Sequence, residues 1–158
     1  DVYLMMSSSL DHEECAFKIL KSKISVKREM ELCGMIISSC MESRTYNKFF
    51  GLLAERFCNL DRIYQEKFEE CFRMQYSSLE DLDLTKLRSV ARLFGHLLET
   101  DALSWSIFQN IYLTAETTTV ASRIFVKILF NDLQERMGII KLKERLLDSW
   151  VSSSVQAS

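Results

Sequence analysis

Proline is absent from the 158-residue sequence, and glycine occurs only at positions 34, 51, 95 and 138. Sheet proteins need many tight turns, and glycine and proline serve such turns most often. A chain of this length built from strands would lack residues for its turns. The composition therefore favours an all-α protein whose helices are joined by short polar loops.

The sequence also lacks a charge of one dominant sign. It contains 20 basic and 22 acidic residues, with a net charge of −2 and a pI near 5.8. This balance excludes a strongly basic nucleic-acid clamp. No apolar run approaches the roughly 20 residues of a membrane span, and the short apolar run near the start follows an aspartate, unlike a secretory signal. We expect no membrane association. Because the first residue is not methionine, we expect a piece of a longer protein.

Five cysteines are present, but none of them forms a closely spaced pair. Zinc sites and redox motifs in sequences are recognised by such pairs, for example two cysteines separated by two residues. We therefore predict no metal site. Unpaired cysteines in a reducing compartment are usually buried, so all five are expected to be reduced core residues of a nuclear or cytoplasmic protein. The cysteines are Cys15, Cys33, Cys40, Cys58 and Cys71.

Apolar residues recur at spacings of three and four, the pattern of amphipathic helices. Several helix starts are indicated by side chains that can accept hydrogen bonds from free backbone amides. These predicted caps are Asp11, Ser25, Asp61, Ser104 and the threonines 117–119, and Gly138 is predicted to end a long helix. The short connections predict stacked antiparallel helical hairpins, as in a HEAT-like α-solenoid.

Residues 1–148 are predicted to form one helical domain that is monomeric by itself. Its last helix should end near Leu147, and the serine-rich tail 149–158 is expected to be frayed or disordered. Phe94 and Phe125 are assigned to the core by their helical spacing. The apolar faces are expected to include Leu20, Leu84 and Leu147 as well.

No pattern of residues indicates catalysis. The glycines are isolated, so no glycine-rich phosphate loop exists. His12 is expected to be exposed, and His96 is expected to lie on a helix surface or in the core with a satisfied ring. We therefore predict no catalytic residue and no cofactor. An enzyme remains a third hypothesis only because no motif explains the five thiols, and a thiol-reactivity assay tests it.

Five residues are candidates for binding a partner protein. Arg, Tyr and Trp dominate the energetics of protein interfaces. Arg123 and Lys127 lie one turn apart on a helix whose other side is apolar, while Arg44 and Tyr46 lie in a passage from loop to helix. Trp105 begins a short helix. These patterns indicate a helical interaction module.

Several passages resemble the MA-3 domains of the nucampholin, or Cwc twenty-two, family of pre-mRNA-splicing factors. Each passage is short, but together, and in this order, they are fairly specific and cover about residues 2–147. They are 2–4, 6–11, 13–16, 30–33, 44–46, 50–53, 56–58, 87–88, 90–91, 96–98, 100–103 and 122–128.

The resemblance implies an all-α domain of stacked hairpins without catalysis of its own, in a nuclear protein. It implies docking onto core spliceosome proteins near the 5′ exon and support for deposition of the exon junction complex. The DEAD-box helicase of that complex would be bound by the rest of the full-length protein, and contact with RNA would be indirect. The alternative is an MA-3 domain of the translation type, which binds an initiation-factor DEAD-box helicase.

Overall fold

The computed structural model describes residues 2–9, 11–22, 28–110 and 118–157, and it describes their side chains except at 110 and 150–157. Within these ranges there are eight α-helices, two short 3₁₀ helices and no strand. The 3₁₀ helices are Leu79–Asp81 and Trp105–Asn110. The α-helices are α1 (Val2–Ser8), α2 (His12–Lys21), α3 (Glu29–Glu42), α4 (Lys48–Leu60), α5 (Arg62–Tyr76), α6 (Leu84–Glu99), α7 (Val120–Met137) and α8 (Ile139–Ala157).

The helices begin at side chains that accept backbone hydrogen bonds. Asp11 accepts from the amide of Glu14 at 2.7 Å, which confirms that predicted cap. Asp61 and Thr119 are confirmed as caps in the same way, and Asn47 and Asp83 cap α4 and α6. The predicted cap Ser25 lies outside the described residues, as does Thr117.

The helices stack as antiparallel hairpins. α2 packs on α4, α3 packs on both α5 and α6, and α4 packs on α6. The most extensive contact is between α6 and α7, and α8 closes the series by packing on α7 and on the 3₁₀ helix Trp105–Asn110. The predicted all-α architecture of stacked helical hairpins is confirmed.

Aromatic rings join the middle helices of the stack. Phe72 of α5 contacts Phe94 of α6, with ring centroids 4.9 Å apart, and Phe125 of α7, at 6.2 Å. All three rings are fully buried. The predicted core positions of Phe94 and Phe125 are confirmed.

Three leucines predicted to face inward are exposed instead. Leu20, Leu84 and Leu147 expose 40%, 51% and 62% of their surface. Helical spacing identifies an apolar stripe, but it does not show how much of that stripe the neighbouring helices cover. In each of these helices, part of the stripe extends beyond the covered side.

The predicted end of the last helix is also wrong. α8 continues without a break past Leu147 to Ala157, ten residues beyond the predicted end of the helix. No glycine or proline interrupts residues 149–157, and serine is only a moderately poor helix former. The hydroxyl of Ser149 donates to the carbonyl of Trp105 at 3.2 Å, which anchors α8 at the start of this serine-rich stretch.

Gly95 permits the close approach of α6 and α7. A Cβ at this position would lie 2.2 Å from an Oδ atom of Asp132 on α7, far inside van der Waals contact. A Cβ at Gly34, in the middle of α3, would meet no atom within 4 Å. Gly34 and Gly95 therefore differ in what an added methyl group would encounter. A third glycine, Gly138, ends α7 with a φ of +81°.

Replacing Gly34 and Gly95 by alanine, one at a time, should separate the steric effect from helix propensity. Both substitutions gain up to about 1 kcal/mol of helix propensity, but only Gly95→Ala introduces a clash, and overpacking costs about 1–3 kcal/mol. In urea denaturation, we expect the free energy of unfolding of Gly95→Ala to be about 1–3 kcal/mol lower than that of Gly34→Ala, because only Gly95→Ala carries the cost of overpacking. Equal stabilities would show that α6 and α7 do not require the glycine.

All five cysteines are unpaired and buried, as predicted. Burial raises the pKa of the Cys40 and Cys58 thiols to about 12 and that of Cys71 to about 11. The thiolate is the reactive form of cysteine. Near neutral pH these side chains are therefore protonated as well as inaccessible.

The native chain should consequently resist thiol reagents. At pH 8 we expect slow labelling by a disulfide reagent in buffer and rapid labelling of five thiols in urea. Because the thiol pKa is higher in the folded chain, the free energy of unfolding should fall as the pH rises above about 9. A thiol that reacts rapidly in the native chain would instead favour the enzyme hypothesis.

Candidate protein-interaction surface

Helix α7 determines where Arg123 and Lys127 lie. The Thr119 hydroxyl accepts from the amide of Ser122 at 3.1 Å, and the Ser122 hydroxyl accepts from the amide of Thr119 at 2.9 Å, which fixes the first turn. The inward side of α7 then carries its buried apolar residues, among them Phe125, Val126, Leu129 and Leu133.

Both cations are exposed on the outer side of α7. No described acidic side chain lies within 4 Å of either one, so neither is neutralised by an ion pair with the described part of the chain. An acidic group of another molecule can therefore approach them directly. Of the two, the Arg123 guanidinium can hold a carboxylate or phosphate through two hydrogen bonds.

Trp105 does not belong to this surface, and its selection as a partner anchor is corrected. Its ring is only 4% exposed, and the indole N–H donates to the carbonyl of Leu98 at 2.9 Å. The Arg145 guanidinium of α8 lies over the ring, 4.8 Å from its centroid, and is also paired with Asp101. Trp105 therefore fastens α8 to the end of α6.

Tyr46 is half-buried and makes contacts within the fold. The hydroxyl is buried, and it lies so near α4 that a Cβ on Gly51 would approach it to 2.7 Å. Arg92 of α6 lies over the ring at 4.6 Å from the centroid. Burial raises the pKa of the phenol, which is therefore neutral near pH 7. Its neighbour Arg44 is exposed in the α3–α4 connection, and no described contact joins it to α7.

A polar cluster, which sequence reasoning missed, lies between α4, α6 and α7, further along α7 than the two cations. Asp132 is 6% exposed; its carboxylate accepts from Arg136 Nε at 2.7 Å and lies 3.4 Å from Arg92 Nε. His96 Nε2 is 2.8 Å from Glu55 Oε1, and its Nδ1 is 3.4 Å from Arg136. Since Arg136 can only donate, Nδ1 accepts and Nε2–H donates to Glu55. His96 is thus a core residue whose two ring nitrogens both have hydrogen-bond partners, which is one of the two alternatives predicted for it.

This cluster joins α4, α6 and α7 through hydrogen bonds and ion pairs. Its charged groups are paired with one another; Asp132 and His96 are buried, while Arg92, Glu55 and Arg136 are partly exposed. Among the described residues, no group of three or more His, Cys, Asp or Glu side chains is arranged to hold a metal ion. None of the described helices combines the length and apolar character that crossing a membrane requires.

Comparison with known proteins gives one family and several close relatives. The family model described as the MA3 domain matches residues 1–104. A pre-mRNA-splicing factor CWC22 homolog from Mus musculus is 53% identical over 147 residues, which cover 93% of this chain and 16% of that protein. The CWC22 homolog of Drosophila melanogaster is 48% identical over 154 residues, covering 98% of this chain and 12% of that protein.

The likeness extends to fungi. The pre-mRNA-splicing factor cwc22 of Neurospora crassa is 48% identical over 155 residues, which cover 98% of this chain and 15% of that protein. The chain therefore matches these relatives along nearly its whole length while spanning only 12–16% of theirs.

Proposed function

The chain belongs to the MA3 domain family, and we propose that it is a non-catalytic docking module of a pre-mRNA-splicing factor in the nucleus. The splicing-factor names of its relatives support this role. The observation in this chain that carries the proposal is the outer side of α7, where Arg123 and Lys127 are exposed and free of described acids. The polar groups of the cluster between α4, α6 and α7 are paired with one another.

In the finer form of the proposal, the module docks onto core spliceosome proteins near the 5′ exon and supports deposition of the exon junction complex. The DEAD-box helicase of that complex is bound by other parts of the full-length protein. Contact with RNA is indirect, no cofactor takes part, and the domain by itself is a monomer. Arg44 is a further candidate contact because it is exposed and has no described partner.

The alternative, binding of an initiation-factor helicase, draws on the same MA-3 resemblance. The relatives named above favour the splicing role. A pull-down with the tagged chain separates the two. From nuclear extract we expect core spliceosomal proteins and small nuclear RNAs to be enriched. Enrichment of an initiation helicase without spliceosomal proteins would contradict the proposal.

Reversing the two α7 charges tests the proposed contact surface. In the double variant Arg123→Glu, Lys127→Glu, like charges would face an acidic partner, and we expect recovery of spliceosomal proteins to fall about tenfold. Both side chains are exposed, so the melting temperature should stay nearly unchanged. Quantitative mass spectrometry of the pull-down and a thermal melt measure the two effects.

The matched control is Lys141→Glu, Lys143→Glu, which makes the same change of charge on the exposed side of α8. This variant should bind like the wild-type chain. If both double variants lose binding equally, net charge is responsible and the α7 surface is not the contact. If the α7 variant unfolds, the two cations are structural.

A further inference from the structure

A shallow apolar groove lies beside the α7 cations. It is formed where the first turns of α6 and α7 meet the 3₁₀ helix Leu79–Asp81, and its volume is about 550 Å³. We call it the α6–α7 groove. Its apolar lining consists of Leu82, Leu84, Leu87, Val120, Ala121 and Ile124.

Two residues of this lining are unusually exposed. Val120 exposes 71% of its surface and Leu84 exposes 51%. They lie on different helices that are neighbours in space, so their apolar surfaces belong to one groove. Covering such surface removes it from water, which is the main driving force of protein association. The groove is therefore suited to receive apolar side chains of another molecule.

Near the α6–α7 groove, the α7 edge and the 3₁₀ edge carry charges of opposite sign. On α7, Arg123 follows Val120 by three residues and Lys127 follows Ile124 by three, so each cation lies about one turn from a lining residue. On the opposite side, Glu80 is exposed at the groove. A segment that lies in the groove thus meets positive charge along α7 and negative charge at the 3₁₀ helix.

We propose that the α6–α7 groove binds an amphipathic helix of a partner protein, with acidic residues of that helix facing Arg123 and Lys127. This inference rests on the proposed docking function and specifies the chemistry of the segment recognised. The apolar face of the helix covers Leu84, Val120 and Ile124. Its opposite edge is neutral or basic, because it faces Glu80.

The composition of the groove favours a helix over other ligands. Single-stranded RNA is usually held by aromatic side chains on which bases stack, whereas the described lining contains none, and Glu80 would repel a phosphate. An extended peptide that adds a strand needs a free sheet edge, and one in a polyproline helix is held by an aromatic-lined groove. The described ranges contain no strand, and the described lining contains no aromatic residue. A groove between two helices accommodates apolar side chains spaced by three and four residues, which is how a helix presents them.

Site-specific cross-linking tests the proposal directly. The five native thiols are buried, so Val120→Cys introduces an accessible cysteine that can carry a benzophenone maleimide label. The labelled chain is incubated in nuclear extract and illuminated. We expect cross-links to a spliceosomal protein, within a peptide that carries acidic residues and apolar residues at helical spacing. The control is Leu147→Cys, labelled on exposed α8, which should not yield this peptide.

Other cross-linked products would overturn the inference. A cross-link to RNA would show that the groove binds nucleic acid and not a helix. A cross-link to a second copy of the chain would show that the groove is a dimer contact. A basic or extended peptide would contradict the charge argument. Absence of any product specific to Val120→Cys would show that the groove is not covered in the complex.

Binding by groove variants separates this inference from the proposed function. Leu84→Ser and Val120→Ser remove exposed apolar surface, and we expect each to weaken recovery of spliceosomal proteins at least threefold, whereas Leu147→Ser should not. If the wild-type chain recovers spliceosomal proteins and the two groove variants do so equally well, the groove proposal fails alone. If the wild-type chain recovers none, the proposed function fails and the groove proposal fails with it.

Discussion

The arrangement of α6 and α7 depends on the ion pairs of the buried Asp132 carboxylate. This carboxylate lies between the guanidinium groups of Arg92 on α6 and Arg136 on α7, and Arg136 in turn contacts the ring of His96. Removing one partner of a buried ion pair typically costs about 3–5 kcal/mol. Gly95 provides the space that lets the carboxylate approach α6.

This constraint also determines which side of α7 is available for binding. Asp132 faces inward, and a helix turns about 100° per residue. Arg123 precedes Asp132 by nine residues and therefore points to the opposite side of the helix. Lys127 lies one turn further along on the same outer side. The interior pairing thus fixes the rotation of α7, and with it the position of the two free cations.

Much of the fold could be predicted from the sequence because its signals are local. Side chains such as Asp11 and Asp61 hydrogen-bond amides two or three residues away, and the spacing of Phe94 and Phe125 reflects their own helices. Leu84 and Leu147 were assigned wrongly because their exposure depends on whether another helix covers them. The length of α8 was missed because a serine-rich composition does not reveal the anchoring of Ser149 on Trp105.

The binding surface could be predicted only in part, for a related reason. Arg123 and Lys127 were found because charges on an otherwise apolar helix must lie at its edge or be paired. Trp105 and Tyr46 have residue types common at interfaces, but the fold uses both, through partners distant in sequence such as Arg145 and Arg92. The pairing of Asp132 with Arg92 could not be seen either, because it joins two helices whose register is unknown from the sequence.

Hydroxyl-radical footprinting of the free chain and of the chain in its proposed complex with spliceosomal proteins tests the central claim most directly. It measures the solvent accessibility of side chains on every face in one experiment. The account predicts that oxidation of Leu84 and Val120 falls on binding, while oxidation of Phe17 and Leu147, which are also exposed in the free chain, stays the same. Unchanged oxidation of Leu84 and Val120, with protection of Phe17 or Leu147, would show that the chain docks through another face.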